Sequence, residues 1–468
     1  MGQFLVEISC VAGSTLNGTQ SSRQNRHLEA RRSAKQTPKD PKWAENRYSA
    51  PHARLTQNSI ANFGEGCVCK ILFSELEAHN TTSRFNKMLS FQHLPLPHGK
   101  ETYLIILTSS NQLYSGTGTA LFEWIRHAKH VFDFAICIDN LVARNYMIAR
   151  DFCRAEGLRF LPCGPARRLG APDPGVADAQ RHAASGKWAV IEIVSWANAA
   201  TNFDVVEACA PESMLVFTPH TQPAWTVPGI EENALLEPVF NRALTRADVV
   251  FCVSPLEVDV VKNRVPGAFA LYAPNGIDVE TFCLSSHPRK RQILMVADFA
   301  EPRKRVDLGL AAMTRFIGLN SDWGVVIGGR GSDAVAIPES LKGCITRAGF
   351  VSRDELVALY QQSAMFVLLS DYEAFCIPLA ESLACGTPIV TNATQELLSL
   401  YSGQRGCYLA RNDDQAAVDA AMAAAARDDA HLEISQAAQA KFASNVVYQI
   451  KLDCILGMLE RNRGRKIA

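Results

Sequence analysis

The segment that decides the fold is residues 364–390, AMFVLLSDYEAFCIPLAESLACGTPIV. It starts with an apolar run that has no alternation, which predicts a strand buried on both faces of a parallel sheet. Residues 371–377 then form a loop. Pro378 suits the first turn of a short helix over 378–385, and Gly386 suits a left-handed cap at its end. The segment therefore predicts a helix that begins at the carboxyl edge of a sheet.

Two carboxylates flank the start of that helix, Glu373 in the loop and Glu381 in the first turn. The free N–H groups and the dipole of a helix N-terminus favour a phosphate. Carboxylates repel a phosphate but accept hydrogen bonds from hydroxyl groups on either side of it. The combination predicts a site for a sugar nucleotide. The alternative is a pair of solvated surface glutamates.

Similar apolar runs, separated by helical patterns, recur through most of the chain and form two series. The first contains TYLIILT, FDFAICI, LRFL, WAVIEIV, SMLVF, DVVFCV and AFALYA, and the second RQILMVA, WGVVIGG, CITRAGF, AMFVLLS, PIVTN and CYLA. This alternation predicts an α/β protein with two doubly wound domains around a shared cleft. The apolar spacing over 431–460 predicts one long helix at the end.

The composition is that of a globular protein, with 468 residues, 47% hydrophobic and 20% charged. Lys plus Arg and Asp plus Glu number 47 each, so no overall field points to nucleic acid or another polyanion. The 14 cysteines are scattered singly, as in a reducing compartment. We expect an N-terminal extension over 1–100, partly disordered, a first domain over 101–280, a second over 281–430 and a C-terminal helix over 431–468 that crosses back to the first domain.

The stretch from Glu373 to Val390 resembles the E-x7-E signature of the retaining GT-B glycosyltransferases of family 4. SPLEVDVV, APNGIDVETF, VADFAEPRKRVDLGLAAM and GFVSRDELVALYQQSAMFVLLS resemble other parts of that family in the same order, so the resemblance covers about residues 102–460. It implies a GT-B fold, with two Rossmann-like domains facing a central cleft. The implied reaction transfers a sugar from a nucleoside diphosphate to an acceptor hydroxyl, with retention of configuration and without a metal or other cofactor.

The resemblance also implies roles for single residues. Glu381 would bind the ribose of the donor, Glu373 the transferred sugar, and His220 would face that sugar from the first domain. The loop residues Phe375, Cys376 and Ile377 would contact the donor. Relatives usually carry glycine where this chain has Ala374 and Cys376.

Arg303 and Lys304 lie in EPRKR, after the predicted strand over 291–297. Fixed cations stabilise a departing diphosphate without a metal, so we predict catalytic roles for both. The alternative is a solvated basic turn. The family commonly has a Gly-Arg pair just after this strand, whereas this chain has Ala297, Asp298 and Phe299.

Three glycines are further candidates for donor binding. Gly116 and Gly118 follow the first strand and open a helix, where backbone without a side chain can approach a diphosphate, although a plain turn explains them equally well. Gly329 lies in GGRG, which would bring backbone near the nucleotide. By analogy with the family, Val351 would contact the base.

Two other functions fit the same pattern. One is a sugar-nucleotide epimerase of the same fold, and the other is a non-catalytic subunit that binds sugar nucleotides. The expected partners are a nucleotide sugar and a glycan, lipid-linked or protein acceptor, and not nucleic acid. We expect a cytoplasmic protein. The cations of residues 461–466 could contact an anionic membrane surface peripherally. The alternative is that residues 461–466 are a frayed terminus.

Overall fold

The structure is a computed structural model that describes residues 99–107, 116–139, 143–163, 174–194, 205, 207–220 and 237–467. The N-terminal extension predicted over 1–100 lies outside the described residues except for its last two.

The first domain contains one parallel sheet of seven strands in the order β3-β2-β1-β4-β5-β6-β7. The strands are β1 Glu101–Leu107, β2 Phe132–Asp139, β3 Arg159–Cys163, β4 Val190–Val194, β5 Met214–Thr218, β6 Val249–Cys252 and β7 Ala270–Tyr272. The helices between them are α1 Gly116–Ala128, α2 Ala143–Glu156, α3 Pro174–Ala183, α4 Glu237–Arg246 and α5 Pro255–Arg264.

The second domain contains a parallel sheet of six strands in the order β10-β9-β8-β11-β12-β13. The strands are β8 Lys290–Val296, β9 Gly324–Gly328, β10 Ile345–Gly349, β11 Ser363–Leu368, β12 Ile389–Asn392 and β13 Cys407–Ala410. The helices are α6 Val306–Leu319, α7 Arg353–Gln362, α8 Ile377–Ala384, α9 Gln395–Tyr401 and α10 Gln415–Ala425.

The predicted strands are all present, and the central strands of the first sheet are buried on both faces, whereas the edge strand β10 of the second sheet is mostly exposed. Every residue of Val190–Val194 and of Met214–Thr218 is buried. Helices cover both faces of such a sheet, so no side of the strand needs polar residues. The two predicted doubly wound domains are therefore confirmed.

In each sheet the order in which successive strands are added reverses at one point, between β1 and β4 in the first sheet and between β8 and β11 in the second. Loops that leave the carboxyl ends of the two strands at such a point diverge to opposite faces and open a crevice. Residues just after β8 and β11 are therefore expected to meet there, although they are distant in sequence.

The prediction of one long helix over 431–460 is wrong. Two helices occupy this segment, α11 His431–Phe442 and α12 Ser444–Ile467. Ala443 between them has an extended backbone with ψ of 130°. Ile277, which follows β7, donates its N–H to the carbonyl of Phe442 at 2.6 Å and accepts from the N–H of Ser444 at 2.9 Å. This bridge to another part of the chain interrupts the helix.

The last helix packs against the first domain. Tyr448, Leu452 and Ile455 of α12 belong to the same buried apolar cluster as the strands of the first sheet. The hydroxyl of Tyr448 donates to the carbonyl of Ala120 in α1 at 2.8 Å. The chain thus returns from the second domain to the first.

Candidate active site

The crevice of the second sheet brings Glu373, Arg303 and Lys304 together. The short 3-10 turn Pro302–Lys304 follows β8, and Glu373 follows β11. Glu373 lies 3.2 Å from the guanidinium of Arg303 and accepts a hydrogen bond from the ammonium of Lys304. The N–H of Asp371 donates to the carbonyl of Arg303 at 2.8 Å, so backbone also joins the two loops. We call these three side chains the switch-point cluster.

The switch-point cluster keeps a carboxylate ionised in a buried place. The side chain of Glu373 is only 7% exposed. Burial by itself would raise the pKa of Glu373, but Lys304 and Arg303 hold it below its usual value. The two cations differ, because the side chain of Lys304 is 12% exposed and that of Arg303 is 31% exposed. Arg303 is therefore the cation that presents more of its surface to a ligand.

Glu381 is buried in the second turn of α8 and not in the first turn as predicted, because the helix begins at Ile377, and its environment is the opposite of that around Glu373. Its described hydrogen-bond partner is the hydroxyl of Tyr360, at 3.3 Å. Burial raises the pKa of Glu381 to about 7, and Arg353 and Tyr360 lower it only in part. The carboxyl group is therefore partly protonated near neutral pH and lacks the strong partners that a carboxylate prefers.

The start of α8 lies against the start of α1 in the other domain. A Cβ placed on Gly116 would come within 3.2 Å of the Cδ1 of Ile377, so the glycine permits this close approach. Gly118 is buried two residues further along α1. Two helix N-termini, one from each domain, therefore face the same crevice and direct the positive ends of their dipoles towards it.

The loop before α8 turns its side chains inward. Phe375 is 3% exposed and packs edge-on against Phe442, with ring centroids 5.5 Å apart. The hydroxyl of Tyr401 donates to the carbonyl of Phe375 at 3.1 Å. Cys376 and Ile377 are buried in the same apolar cluster. These three residues thus fix the shape of the loop, and their side chains belong to the core.

Gly329 and Val351 lie at the same carboxyl edge of the second sheet. Gly329 has φ of +113°, and a Cβ there would come within 2.0 Å of the carbonyl oxygen of Ala297. A Cβ on the preceding Gly328 would come within 2.7 Å of a methyl group of Val351. Positions 328 and 329 both require glycine, because the chain segments that follow β8, β9 and β10 converge there.

His220 lies on the opposite side of the crevice, after β5 of the first sheet. Its backbone is left-handed, with φ of 57°. It shares a small cavity with Glu192, Asn275 and Lys451. Burial and the charge of Lys451 lower the pKa of His220 to about 4, and Glu192 and Asn275 oppose this only in part. The imidazole is therefore neutral at physiological pH.

Backbone strain coincides with the candidate site. Three non-glycine residues with positive φ occur in the described part of the chain, His220 at 57°, Arg305 at 43° and Cys376 at 64°. Non-glycine residues in this conformation cost of order 1–3 kcal/mol each and cluster at functional sites. Two of them are predicted site residues, and Arg305 directly follows Lys304.

The structure adds residues that the sequence analysis missed. Lys451 and Glu192 form a buried ion pair beside His220. A further ion pair joins the domains, because Arg353 of α7 lies 3.3 Å from Glu123 of α1 and 2.8 Å from Asp278. A signal for Glu192 was present, since it is the single charged residue in the buried strand VIEIV.

No group of three or more His, Cys, Asp or Glu side chains within the described ranges is arranged to hold a metal ion. Among the helices described above, none is long and apolar enough to cross a membrane.

Solved structures place the fold in a known class. A sucrose-phosphate synthase from Thermosynechococcus elongatus superposes with a TM-score of 0.61, at 16% identity, over 78% of this chain and 100% of that chain. Alr3699/HepE from Anabaena, solved with UDP and glucose, superposes with a TM-score of 0.59, at 12% identity, over 76% of this chain and 99% of that one. The two domains and their crevice are a GT-B fold, as predicted.

Sequence comparisons relate the second domain to a particular family of glycosyltransferases. Residues 290–428 match the family model of the Glycosyl transferases group 1. A GDP-mannose-dependent alpha-(1-6)-phosphatidylinositol dimannoside mannosyltransferase from Mycobacterium tuberculosis is 27% identical over 209 residues, 41% of this chain and 53% of that protein. A phosphatidyl-myo-inositol mannosyltransferase from Mycolicibacterium smegmatis is 25% identical over 239 residues, 49% of this chain and 60% of that protein. The chain thus spans little more than half the length of these curated relatives. The predicted resemblance to group 1 glycosyltransferases is confirmed over residues 290–428.

Proposed function

We propose that this protein transfers a hexose from a nucleoside-diphosphate sugar to an acceptor hydroxyl, with retention of configuration and without a divalent metal. The observation that carries the proposal is the switch-point cluster, in which Glu373 meets Arg303 and Lys304 beside the first turn of α8. A buried carboxylate, two cations and the positive end of a helix dipole together match a sugar hydroxyl next to a diphosphate.

The cations would stabilise the negative charge that develops as the diphosphate leaves. Arg303, whose guanidinium is the more exposed of the two cations, would contact the phosphate oxygens. Lys304 would hold the carboxylate of Glu373 in place. Removing one preorganised donor of this kind typically costs 10²–10³-fold in kcat. Because these charges are held by buried contacts, they need no reorganisation during the reaction.

The remaining site residues would bind and orient the donor. Glu381 would accept hydrogen bonds from the ribose, and Val351 and the backbone at Gly329 would lie along the nucleotide. Gly116 and Gly118 would let the start of α1 approach the diphosphate from the first domain. His220 would face the transferred sugar. The side chains of Phe375, Cys376 and Ile377 would act through the loop that they shape.

The relatives suggest which donor to test first. The two curated relatives above are named as mannosyltransferases, one of them as GDP-mannose-dependent. GDP-mannose is therefore the first candidate, and UDP-glucose, with which Alr3699/HepE has been solved, is the second. A lipid-linked acceptor and peripheral membrane contact would fit relatives that act on phosphatidylinositol derivatives by name.

A thermal-shift screen with both donors tests the proposal, since a ligand that binds the folded state raises Tm by mass action. Glu381→Ala should abolish the shift given by the better donor. Glu339→Ala, which removes an exposed glutamate of the same domain, should leave it unchanged. A wild-type protein with no shift, or equal shifts in both variants, would contradict the site. Product analysis with and without acceptors separates transfer from epimerisation and from binding alone.

A further inference from the structure

A buried ion pair in the first domain is not used by the proposed transfer. Glu192 lies at the centre of β4 and is 0% exposed. Its Oε1 accepts from the ammonium of Lys451 and from the hydroxyl of Thr218, both at 2.5 Å. Its Oε2 accepts from the hydroxyl of Tyr103 at 2.8 Å. The carboxylate is thus fully hydrogen-bonded inside the domain.

The cation of this pair comes from the far end of the chain. Lys451 belongs to α12, which follows the second domain, and is 5% exposed. Its ammonium lies 4.6 Å from the ring centroid of Trp124 and 5.2 Å from that of Phe251. A buried ion pair contributes little net stability, because desolvation offsets the attraction, and an apolar pair would dock the helix as well. The charges therefore call for another explanation.

The ion pair and His220 line one small cavity. Glu192, Thr218, Asn275 and Lys451 surround it together with His220. Its volume of about 10 Å³ corresponds to one water molecule. The Nδ1 atom of His220 is buried and makes no well-formed hydrogen bond to any of the described residues. A water in this cavity would have polar partners on both sides.

We propose that Lys451 and Glu192 are positioning residues for His220, and that a water molecule in the shared cavity links Nδ1 of the imidazole to the ion pair. Through this link, α12 completes the half of the site that the first domain contributes. The functional part of this inference rests on the proposed transfer reaction, in which His220 faces the sugar.

The charges around His220 support this arrangement. The titratable groups that line the cavity with it are Lys451 and Tyr448 on α12 and Glu192 on β4. After burial, the charge of Lys451 is the main cause that lowers the pKa of His220 to about 4, and Glu192 acts in the opposite sense. An imidazole kept neutral can accept a hydrogen bond at one nitrogen while it donates from the other.

The test measures His220 directly and needs no turnover. In full-length protein labelled with ¹⁵N-histidine, the His220 signals are assigned by their loss in His220→Asn, and the pKa is read from an NMR titration. Lys451→Met should raise the pKa of His220. Lys451→Met with Glu192→Gln, which leaves no unpaired buried charge, should raise it less. Tyr448→Phe removes a hydrogen bond that docks the same helix but leaves both charges in place. This variant should therefore leave the pKa of His220 unchanged.

A second measurement joins the inference to catalysis. With a donor and acceptor that wild-type protein turns over, the double variant should lower kcat roughly tenfold with little change in donor KM, and Tyr448→Phe should not. An unchanged His220 pKa in both Lys451 variants, or an equal shift in Tyr448→Phe, would overturn the inference. Absence of any turnover in wild-type protein would instead contradict the proposed function and leave the titration result standing.

Discussion

Glu373 lies 3.2 Å from Arg303, although the two residues follow different strands and are far apart in the sequence. They meet because β8 and β11 are neighbours at the point where the strand order reverses. Lys304 donates to the same carboxylate from the other side. The contact between these loops is the structural basis of the proposed site.

The two cations of the switch-point cluster should respond differently to substitution. Arg303→Ala should lower kcat about 10²–10³-fold and change the free energy of unfolding by about 1 kcal/mol or less, because Lys304 still pairs with Glu373. Lys304→Met should lower the free energy of unfolding by about 3 kcal/mol, because it removes the closer partner of a buried carboxylate. Denaturant unfolding and steady-state kinetics measure these effects.

The control for that pair is Lys342→Met, which removes an exposed lysine paired with Glu339 and should change neither quantity. Equal losses of stability in Arg303→Ala and Lys304→Met would show that the two cations do not divide their roles in this way.

Donor affinity should depend on pH through Glu381. Its pKa of about 7 means that the carboxyl must lose a proton to accept hydrogen bonds from a ribose. The affinity for a nucleotide sugar, whose diphosphate does not titrate in this range, should therefore rise about tenfold from about pH 6 to about pH 8. Isothermal titration calorimetry measures it. Glu381→Gln should bind more weakly and independently of pH, and a wild-type affinity without pH dependence would refute the assignment.

The same carboxyl should destabilise the free protein as the pH rises. Its folded pKa of about 7 exceeds the ordinary value of 4.5, so the folded state binds the proton more tightly than the unfolded chain does. The contribution of Glu381 to the free energy of unfolding should therefore fall between about pH 4.5 and about pH 7. Glu381→Gln should flatten this part of the stability profile, and unchanged curvature in the variant would count against the raised pKa.

At Cys376, a glycine variant should be more stable than an alanine variant, which is the reverse of the usual order of stability. Its φ of 64° is unfavourable for any residue with a Cβ, so Cys376→Gly should be more stable than Cys376→Ala by about 1 kcal/mol. At Cys385, a buried residue at the other end of α8 with φ of −75°, glycine should be less stable than alanine. Thermal unfolding of the four variants compares them, and the same order at both positions would contradict the strained loop.

Metal removal should leave the reaction intact. Arg303, Lys304 and the N-terminal end of the α8 dipole supply positive charge at the place proposed for the departing diphosphate. Initial rates of transfer with excess EDTA should therefore stay within about twofold of those with Mg²⁺, since no metal would take part in the step. A loss of activity in EDTA that Mg²⁺ or Mn²⁺ restores would overturn the metal-independent mechanism.

The sequence was informative wherever local pattern and tertiary structure agree. The strand VIEIV and its equivalents were recognised because strands buried on both faces need no polar side. The spacing of Ser352 and Glu355 is typical of a capping box, and both of its hydrogen bonds are present in the structure. The same spacing at Ser254 and Glu257 gives only half of a capping box, because the hydroxyl of Ser254 accepts from the N–H of Glu257, whereas the carboxylate of Glu257 accepts from the N–H of Val253.

Contacts between distant segments could not be predicted in the same way. Alanine favours a helix, so nothing near Ala443 signals the break that its neighbours' hydrogen bonds to Ile277 impose. The pairing of Lys451 with Glu192 depends on where α12 docks. The left-handed backbone of His220 and Cys376 is equally invisible in the sequence, since neither residue type requires it.

The most direct test of the central claim is a crystal structure of the full chain with a bound nucleotide sugar, GDP-mannose or UDP-glucose. We expect the diphosphate beside Arg303 and the start of α8, a hydroxyl of the sugar within hydrogen-bond distance of Glu373, and the ribose at Glu381. A donor bound with its diphosphate away from Arg303 and Lys304, and with Glu373 facing no part of the sugar, would contradict the proposed site.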